Sequence, residues 1–152
     1  MSRLIDWFVY CLRHYVTFKG RASRPEFWWF YLVVLIGIAA THALRLIAPV
    51  VASAVQDVWN LLLVLPHTAV TTRRLHDVGR SFWWVAAILI DVAFVVVFEI
   101  ELSNASDSLA TSILGLLASV AFFVLLMILL YFLTMPGDSK PNRYGDVPSH
   151  TP

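Results

Sequence analysis

Four long apolar segments, separated by short polar stretches, dominate the pattern of this chain. They cover residues 27–48, 50–70, 82–98 and 113–135. As a helix, the first would be about 33 Å long at 1.5 Å per residue, close to the roughly 30 Å hydrocarbon core of a bilayer. None shows the alternation of apolar and polar positions typical of strands. The pattern predicts an all-α membrane protein with four transmembrane helices in two hairpins, over residues 20–135.

Residues 1–19 have a different pattern and predict a separate element. Arg3, Asp6, Tyr10 and Arg13 recur at helical spacing, and apolar side chains fill the opposite face. A helix this short and this polar is expected to lie in the membrane interface rather than to span it. Packing on the end of the bundle is the alternative. Residues 136–152 are rich in proline and glycine and predict a cytoplasmic tail.

Composition supports a membrane protein and excludes several other classes. Of 152 residues, 59% are hydrophobic and 14% are charged, against roughly 45–50% and 25% in soluble domains. A single cysteine, Cys11, excludes an intramolecular disulfide and offers no zinc framework. The arginines lie in short loops beside apolar segments, which does not predict nucleic-acid binding. We expect no cofactor and no metal.

The distribution of basic residues predicts the orientation in the membrane. In a four-span arrangement, ten of the eleven lysines and arginines fall on one side, and only Arg45 falls on the other. The loop after the third segment contains Glu99, Glu101 and Asp107 and no basic residue. By the positive-inside rule, both termini are predicted to be cytoplasmic.

Two charged motifs lie at the predicted cytoplasmic surface. In "SRPEFWW" (residues 23–29), Ser23 and Glu26 have the spacing of a capping box, and Glu26 could instead pair with Arg73 or Arg74. In "TTRRLHDVGRSFWW" (residues 71–84), we expect the second helix to continue a turn or two past Val70. A lone His-Asp pair, without a nucleophile motif or phosphate loop, does not predict an enzyme.

Three stretches resemble one known family. "FKGRASRPEFWWFYL", "TTRRLHDVGRSFWW" and "PNRYG" are similar, in this order, to the signatures of the domain-of-unknown-function 805 (DUF805) family, and the likeness extends from Phe18 to Gly145. It implies a four-helix protein of the bacterial inner membrane, of unestablished activity. Phe82 departs from the glycine common in the family. The matching positions are Gly20, Arg21, Arg24, Glu26, Arg73, Arg74, His76, Asp77, Gly79, Ser81, Asn142, Tyr144 and Gly145.

These stretches together predict one polar cluster at the cytoplasmic surface, which we call the cytoplasmic cluster. It would either organise the fold or bind anionic lipid headgroups or a protein partner, with the arginines as headgroup contacts. Its predicted members are Arg21, Arg24, Glu26, Arg73, Arg74, His76, Asp77, Arg80, Asn142, Arg143 and Tyr144.

A second set of polar residues falls inside the apolar segments: Arg45, Gln56, Asp57, Asn60 and Asp91. A charge at the bilayer centre costs about 2.5–3.5 kcal/mol on insertion scales, so Asp91 should face other helices. Arg45 could meet Asp57 at a similar depth. These residues would form interhelical hydrogen bonds or, as the alternative function, line the path of a small oligomeric transporter or channel.

Overall fold

A computed structural model describes residues 2–104 and 109–148. The prediction of an all-α protein is confirmed for these residues, which contain no strand beyond one isolated bridge between Asn142 and Gly145. The five helices are α1 (Ser2–Arg13), α2 (Arg24–Arg45), α3 (Pro49–Asp77), α4 (Trp83–Asn104) and α5 (Leu109–Thr134).

Three of the helices are long and apolar enough to cross a membrane: α2, α3 and the Ile113–Thr134 part of α5, as judged over the described residues. The third predicted segment forms α4, which is not among these three helices. The count of four spans therefore stays a prediction. Asp91 lies on α4, but its side chain is outside the described residues. The expected extension of the second helix is confirmed, because α3 continues to Asp77.

The described residues form two compact units. Residues 2–80 and 136–148 make the first unit, in which α2 packs against α3 and α1 packs against both. Residues 81–104 and 109–135 make the second unit, in which α4 packs against α5. In the second unit, Trp84 meets Phe132 edge to face at 5.0 Å between ring centroids.

A glycine permits the close approach of α2 and α3. A Cβ added at Gly37 would collide with the indole of Trp59, and small residues are the usual means by which membrane helices approach closely. Further along the same interface, the Thr41 hydroxyl donates a hydrogen bond to Gln56 Oε1. Gln56 Nε2 in turn donates to Asn60 Oδ1 at 2.8 Å.

The first helix is packed on the protein through one apolar face. Trp7 and Cys11 are buried, and Phe8 stacks on Phe30 of α2 at 5.5 Å. The helix ends at Arg13, earlier than the pattern to residue 19 suggested, and His14 Nδ1 contacts the carbonyl of Tyr10 in its last turn. A second apolar stripe remains exposed at Ile5, Val9, Leu12 and Val16.

The Cys11 thiol reports on this packing. Burial first, and the nearby Glu26 carboxylate second, raise the pKa of Cys11 to about 12. Because the thiolate is the reactive form, we expect N-ethylmaleimide to leave Cys11 unmodified at pH 8 in the folded protein. Trp7→Ala should detach the helix and make labelling at least tenfold faster, as followed by mass spectrometry. Val9→Ala, on the exposed stripe, is the control. Rapid labelling of the unsubstituted protein would contradict the packing of α1.

Candidate functional site

Glu26 lies in the first turn of α2, and its carboxylate pairs with an arginine of α3. Ser23 is the N-cap, and its hydroxyl accepts a hydrogen bond from the Glu26 backbone N–H at 3.3 Å. The Glu26 carboxylate pairs with the guanidinium of Arg73. The cap and the ion pair, which the sequence presented as alternatives, are therefore both present. A backbone hydrogen bond from Ala22 N–H to the Arg73 carbonyl, 2.9 Å, joins the same segments.

The Glu26–Arg73 pair lies beneath α1. Glu26 is 3% exposed and Arg73 is 4% exposed, and Cys11 Sγ is 3.9 Å from Glu26 Oε1. Arg73 Nε and Nη2 have no hydrogen-bond partner among the described residues. Since the pair is desolvated, either charge alone would be strongly unfavourable.

Asp77, at the end of α3, accepts two arginines. Arg21 Nε donates to Asp77 Oδ1 at 2.9 Å, and Arg74 Nη1 pairs with Asp77 Oδ2. Arg74 is 0% exposed and Asp77 is 4% exposed. A carboxylate can accept at both oxygens, and bonds between charged groups are about twice as strong as neutral ones. Asp77 therefore joins α3 to the segment that precedes α2.

Arg21 also holds the C-terminal segment. Its Nη1 donates to the carbonyl of Lys140 at 2.8 Å and to that of Gly145 at 3.4 Å, and its Nη2 donates to the carbonyl of Asp138 at 2.5 Å. The planar guanidinium offers five N–H donors in a fixed geometry. Arg21 thus connects three parts of the chain that are far apart in sequence.

The C-terminal segment is bonded to α3 at several further points. Asp138 N–H donates to the Asp77 carbonyl at 2.8 Å, and Asn142 Nδ2 donates to the His76 carbonyl at 3.0 Å. Gly137 approaches so closely that a Cβ there would collide with the Asp77 carboxylate. Gly145 has φ 132°, which favours glycine, and closes the turn of the PNRYG stretch.

His76 and Tyr144 form a stacked pair between α3 and this segment. Their rings are 3.8 Å apart and inclined by 4°. His76 Nδ1 lies 3.0 Å from the Gly20 carbonyl, and a carbonyl only accepts, so Nδ1 carries the proton. Arg143 lies over the Tyr144 ring at 4.7 Å and donates to the Gly79 carbonyl. The position of His76 is therefore fixed by its stacking on Tyr144 and its hydrogen bond to Gly20.

Burial divides the predicted cytoplasmic cluster into two groups. Arg21, Arg73 and Arg74 are buried in ion pairs. Burial removes these three from the predicted headgroup contacts, because a guanidinium enclosed with a carboxylate cannot also reach a lipid phosphate. The exposed basic members are Arg24, Arg80 and Arg143.

The intramembrane residues are only partly brought together. Gln56 and Asn60 are joined, with Thr41 of α2 as a partner that sequence reasoning did not identify. Arg45 and Asp57 are both exposed, and the structure of the described residues contains no ion pair between them. The expectation that they meet is wrong in the structure. Asp91 cannot be placed, since its side chain lies outside the described residues.

The interior of the cluster consists of arginines and carboxylates held in buried ion pairs. Both carboxylates are covered and paired with arginines, so neither is presented as a base. The described residues contain no group of three or more His, Cys, Asp or Glu side chains that could hold a metal ion. A cavity of about 340 Å³ lies beside the cluster, with Arg24, Asp77 and Ser139 at its polar edge and Pro136 and Pro148 in its wall.

Comparison with known proteins agrees with the three signature stretches. The sequence pattern of the protein family of unknown function DUF805 matches residues 15–146. The chain belongs to the DUF805 family. The matched region contains both ion-paired carboxylates and the turn that Arg21 holds. The resemblance predicted from the motifs is therefore confirmed.

Two relatives from Escherichia coli (strain K12) carry names that state a location. The chain is 31% identical to the inner membrane protein YhaI over 144 residues, which cover 95% of this chain and 96% of YhaI. It is 37% identical to the inner membrane protein YhaH over 93 residues, which cover 57% of this chain and 74% of YhaH. No solved structure matches the chain.

The Glu26–Arg73 pair can be tested by a double-mutant cycle. Glu26→Gln and Arg73→Gln should each lower the free energy of unfolding by about 3 kcal/mol or more, because each leaves one charge buried alone. The double variant should lose less than the sum of the two by at least about 1 kcal/mol. Unfolding is measured in detergent micelles. The cycle of Arg45→Gln and Asp57→Asn, two exposed residues, should be additive. Additivity at Glu26 and Arg73 would contradict the coupling.

Arg21 should be required for docking of the C-terminal segment. Lysine keeps the charge but concentrates its donors on one nitrogen, so Arg21→Lys cannot reach Asp77 and three carbonyls together. We expect trypsin to cut after Arg143 at least tenfold faster in this variant. Arg13→Lys, at an exposed arginine of α1, should leave the cleavage rate unchanged. Equal rates in both variants would show that Arg21 does not hold the segment.

Proposed function

We propose that this protein is a non-enzymatic, four-span protein of the bacterial inner membrane whose cytoplasmic end binds anionic lipid headgroups. The names of YhaH and YhaI support the location. The length and composition of α2, α3 and α5 support membrane insertion. The distribution of basic residues supports cytoplasmic termini.

The observation that carries this proposal is that the arginines inside the cytoplasmic cluster are ion-paired, whereas the exposed residues around it, which we call its rim, are mostly basic. Inside, Arg21, Arg73 and Arg74 are ion-paired with Glu26 and Asp77. Outside, among the described side chains of α1, the adjoining loops and the C-terminal segment, six basic residues are exposed against three acidic ones. The basic residues are Arg13, Lys19, Arg24, Arg80, Lys140 and Arg143; the acidic ones are Asp6, Asp138 and Asp146.

A basic rim of this kind suits the negative surface of the inner leaflet. Each lysine or arginine near such a surface contributes about 1 kcal/mol of attraction. The second apolar stripe, formed by Ile5, Val9 and Leu12 of α1 and by Val16 just after it, is exposed. An amphipathic helix with apolar residues on one side and basic residues at its edge is typical of interfacial binding. We infer that α1 packs on the protein with one face and enters the headgroup region with the other.

The alternative is a small oligomeric transporter or channel. Its candidate residues on α3 are Gln56, Asp57 and Asn60. The bond between Thr41 and Gln56 links α2 with α3, and Gln56 is in turn bonded to Asn60 within α3, which supports a structural role for Gln56. Headgroup binding is therefore placed first. Binding of a second copy or of another membrane protein to the same rim is a separate outcome that the following experiment distinguishes.

Lipid binding is tested on the full chain in detergent by native mass spectrometry. We expect phosphatidylglycerol or cardiolipin to remain bound in preference to phosphatidylcholine. Lys19→Gln, Arg24→Gln and Lys140→Gln together should weaken retention by about two orders of magnitude at low salt, at roughly 1 kcal/mol per residue. Arg45→Gln, at the opposite end of α2, should have no effect. Equal retention of neutral and anionic lipid would exclude the proposal, whereas a lipid-independent dimer would favour the protein partner.

A further inference from the structure

A groove between α2 and α3 lies apart from the cytoplasmic cluster. Its volume is about 350 Å³, within the range of small-molecule sites, and its apolar wall includes Val34, Leu63 and Val64. Tyr31, Asn60 and His67 add polar groups to this wall. His67 is ten residues and Asn60 seventeen residues before the end of α3 at Asp77, which is about 15 Å and 25 Å along the helix. With Asp77 at the membrane surface, the groove faces the hydrocarbon core.

The polar groups of the groove offer hydrogen bonds that the protein leaves unused. The oxygen of Asn60 accepts from Gln56, so its amide N–H groups remain to donate. In the described part of the chain, neither the His67 ring nor the Tyr31 hydroxyl makes a hydrogen bond. Their rings lie 5.7 Å apart and inclined by 36°. In hydrocarbon no water can satisfy these groups, and each unmade hydrogen bond is costly.

This arrangement restricts the chemistry of an occupant. The described residues lining the groove include no charged side chain, so an ionised ligand would be unpaired at this depth. A lipid acyl chain would fill the volume and leave the donors unsatisfied. The complementary molecule is neutral and apolar and carries hydrogen-bond acceptors, and the neighbouring aromatic rings favour a flat one.

The spacing of the two end groups points to a specific ring. Asn60 and His67 are seven residues apart, so they share a face of α3 and are separated by about 10.5 Å along its axis. A para-quinone places its two carbonyl oxygens about 5 Å apart, and a hydrogen bond of about 2.9 Å at each end gives a donor-to-donor span of about 11 Å. Two donors about two helical turns apart on one face require acceptors at opposite ends of the occupant, which a para-quinone has.

We propose that the groove between α2 and α3 binds the ring of a membrane para-quinone, with one carbonyl accepting a hydrogen bond from Asn60 and the other from His67. The Tyr31 ring lies beside His67 at one end of the ring site, and Val34, Leu63 and Val64 contact the ring and the first part of the apolar tail. The Trp59 indole, seated on Gly37, closes the floor.

Binding is tested with decyl-ubiquinone, a quinone with a ten-carbon chain, and the full chain in lipid nanodiscs. The quinone retained on tagged nanodiscs is extracted and quantified, and retention by empty nanodiscs is subtracted. We expect saturation near one quinone per chain. Asn60→Leu and His67→Leu should each raise the dissociation constant about five- to tenfold. His42→Leu replaces a histidine of α2 outside the groove and should change nothing.

A second pair of variants distinguishes a loss of binding in the groove from a loss of folding. Val64→Phe fills the groove from its exposed side, and Val58→Phe makes the same change on α3 outside it. We expect loss of binding in the first and normal binding in the second, at similar thermal unfolding midpoints. Decylbenzene, which has the ring and chain without the carbonyls, should not compete. Retention that never saturates, equal competition by decylbenzene, or binding unaffected by the groove variants would overturn the proposal.

Discussion

The buried carboxylate of Asp77, shared by Arg21 and Arg74, is the interaction on which the charged end of the first unit depends. Two arginines on one buried carboxylate leave an excess of positive charge. That excess is distributed over carbonyl oxygens at Asp138, Lys140 and Gly145. The C-terminal segment therefore supplies partial negative charge through its backbone carbonyls. The dipoles of these backbone carbonyls offset positive charge that the Asp77 carboxylate alone does not neutralise.

Buried ion pairs add little net stability compared with apolar residues of the same shape, but they penalise every arrangement in which a partner is missing. At this end of the protein the penalty applies at two independent carboxylates. Glu26 specifies how α2 meets α3 beneath α1, and Asp77 specifies where the loop before α2 and the C-terminal segment lie. Charge that is costly to bury thus acts to exclude alternative packings. The groove between α2 and α3 uses uncharged polar groups instead, which hydrocarbon tolerates at lower cost.

The apolar pattern was sufficient to predict the helices, because segment length and hydropathy are local properties. It also predicted that α3 would continue to Asp77. It could not distinguish buried arginines from exposed ones. Arg73 and Arg74 are adjacent to each other and look alike in sequence, and their partners are set by packing between distant segments. The close contact of Gly137 with Asp77 was likewise missed, although a Pro-Gly pair directly after the last apolar segment signals a tight turn. Arg45 and Asp57 do not pair, and the hydrogen bond of Thr41 to Gln56 places Thr41 rather than Arg45 beside this part of α3.

The hydrogen bonds of Arg21 have a consequence for the order of assembly. They join residues 117 to 124 positions apart, so the partners are synthesised long after Arg21. Domains otherwise tend to fold from the N-terminus during synthesis. Until the C-terminal segment emerges, Arg21 and Asp77 have each other and Arg74, and the carbonyls are absent. This end of the first unit can therefore close only after residues 138–145 have been synthesised, and a chain that lacks this segment would contain an incompletely compensated arginine.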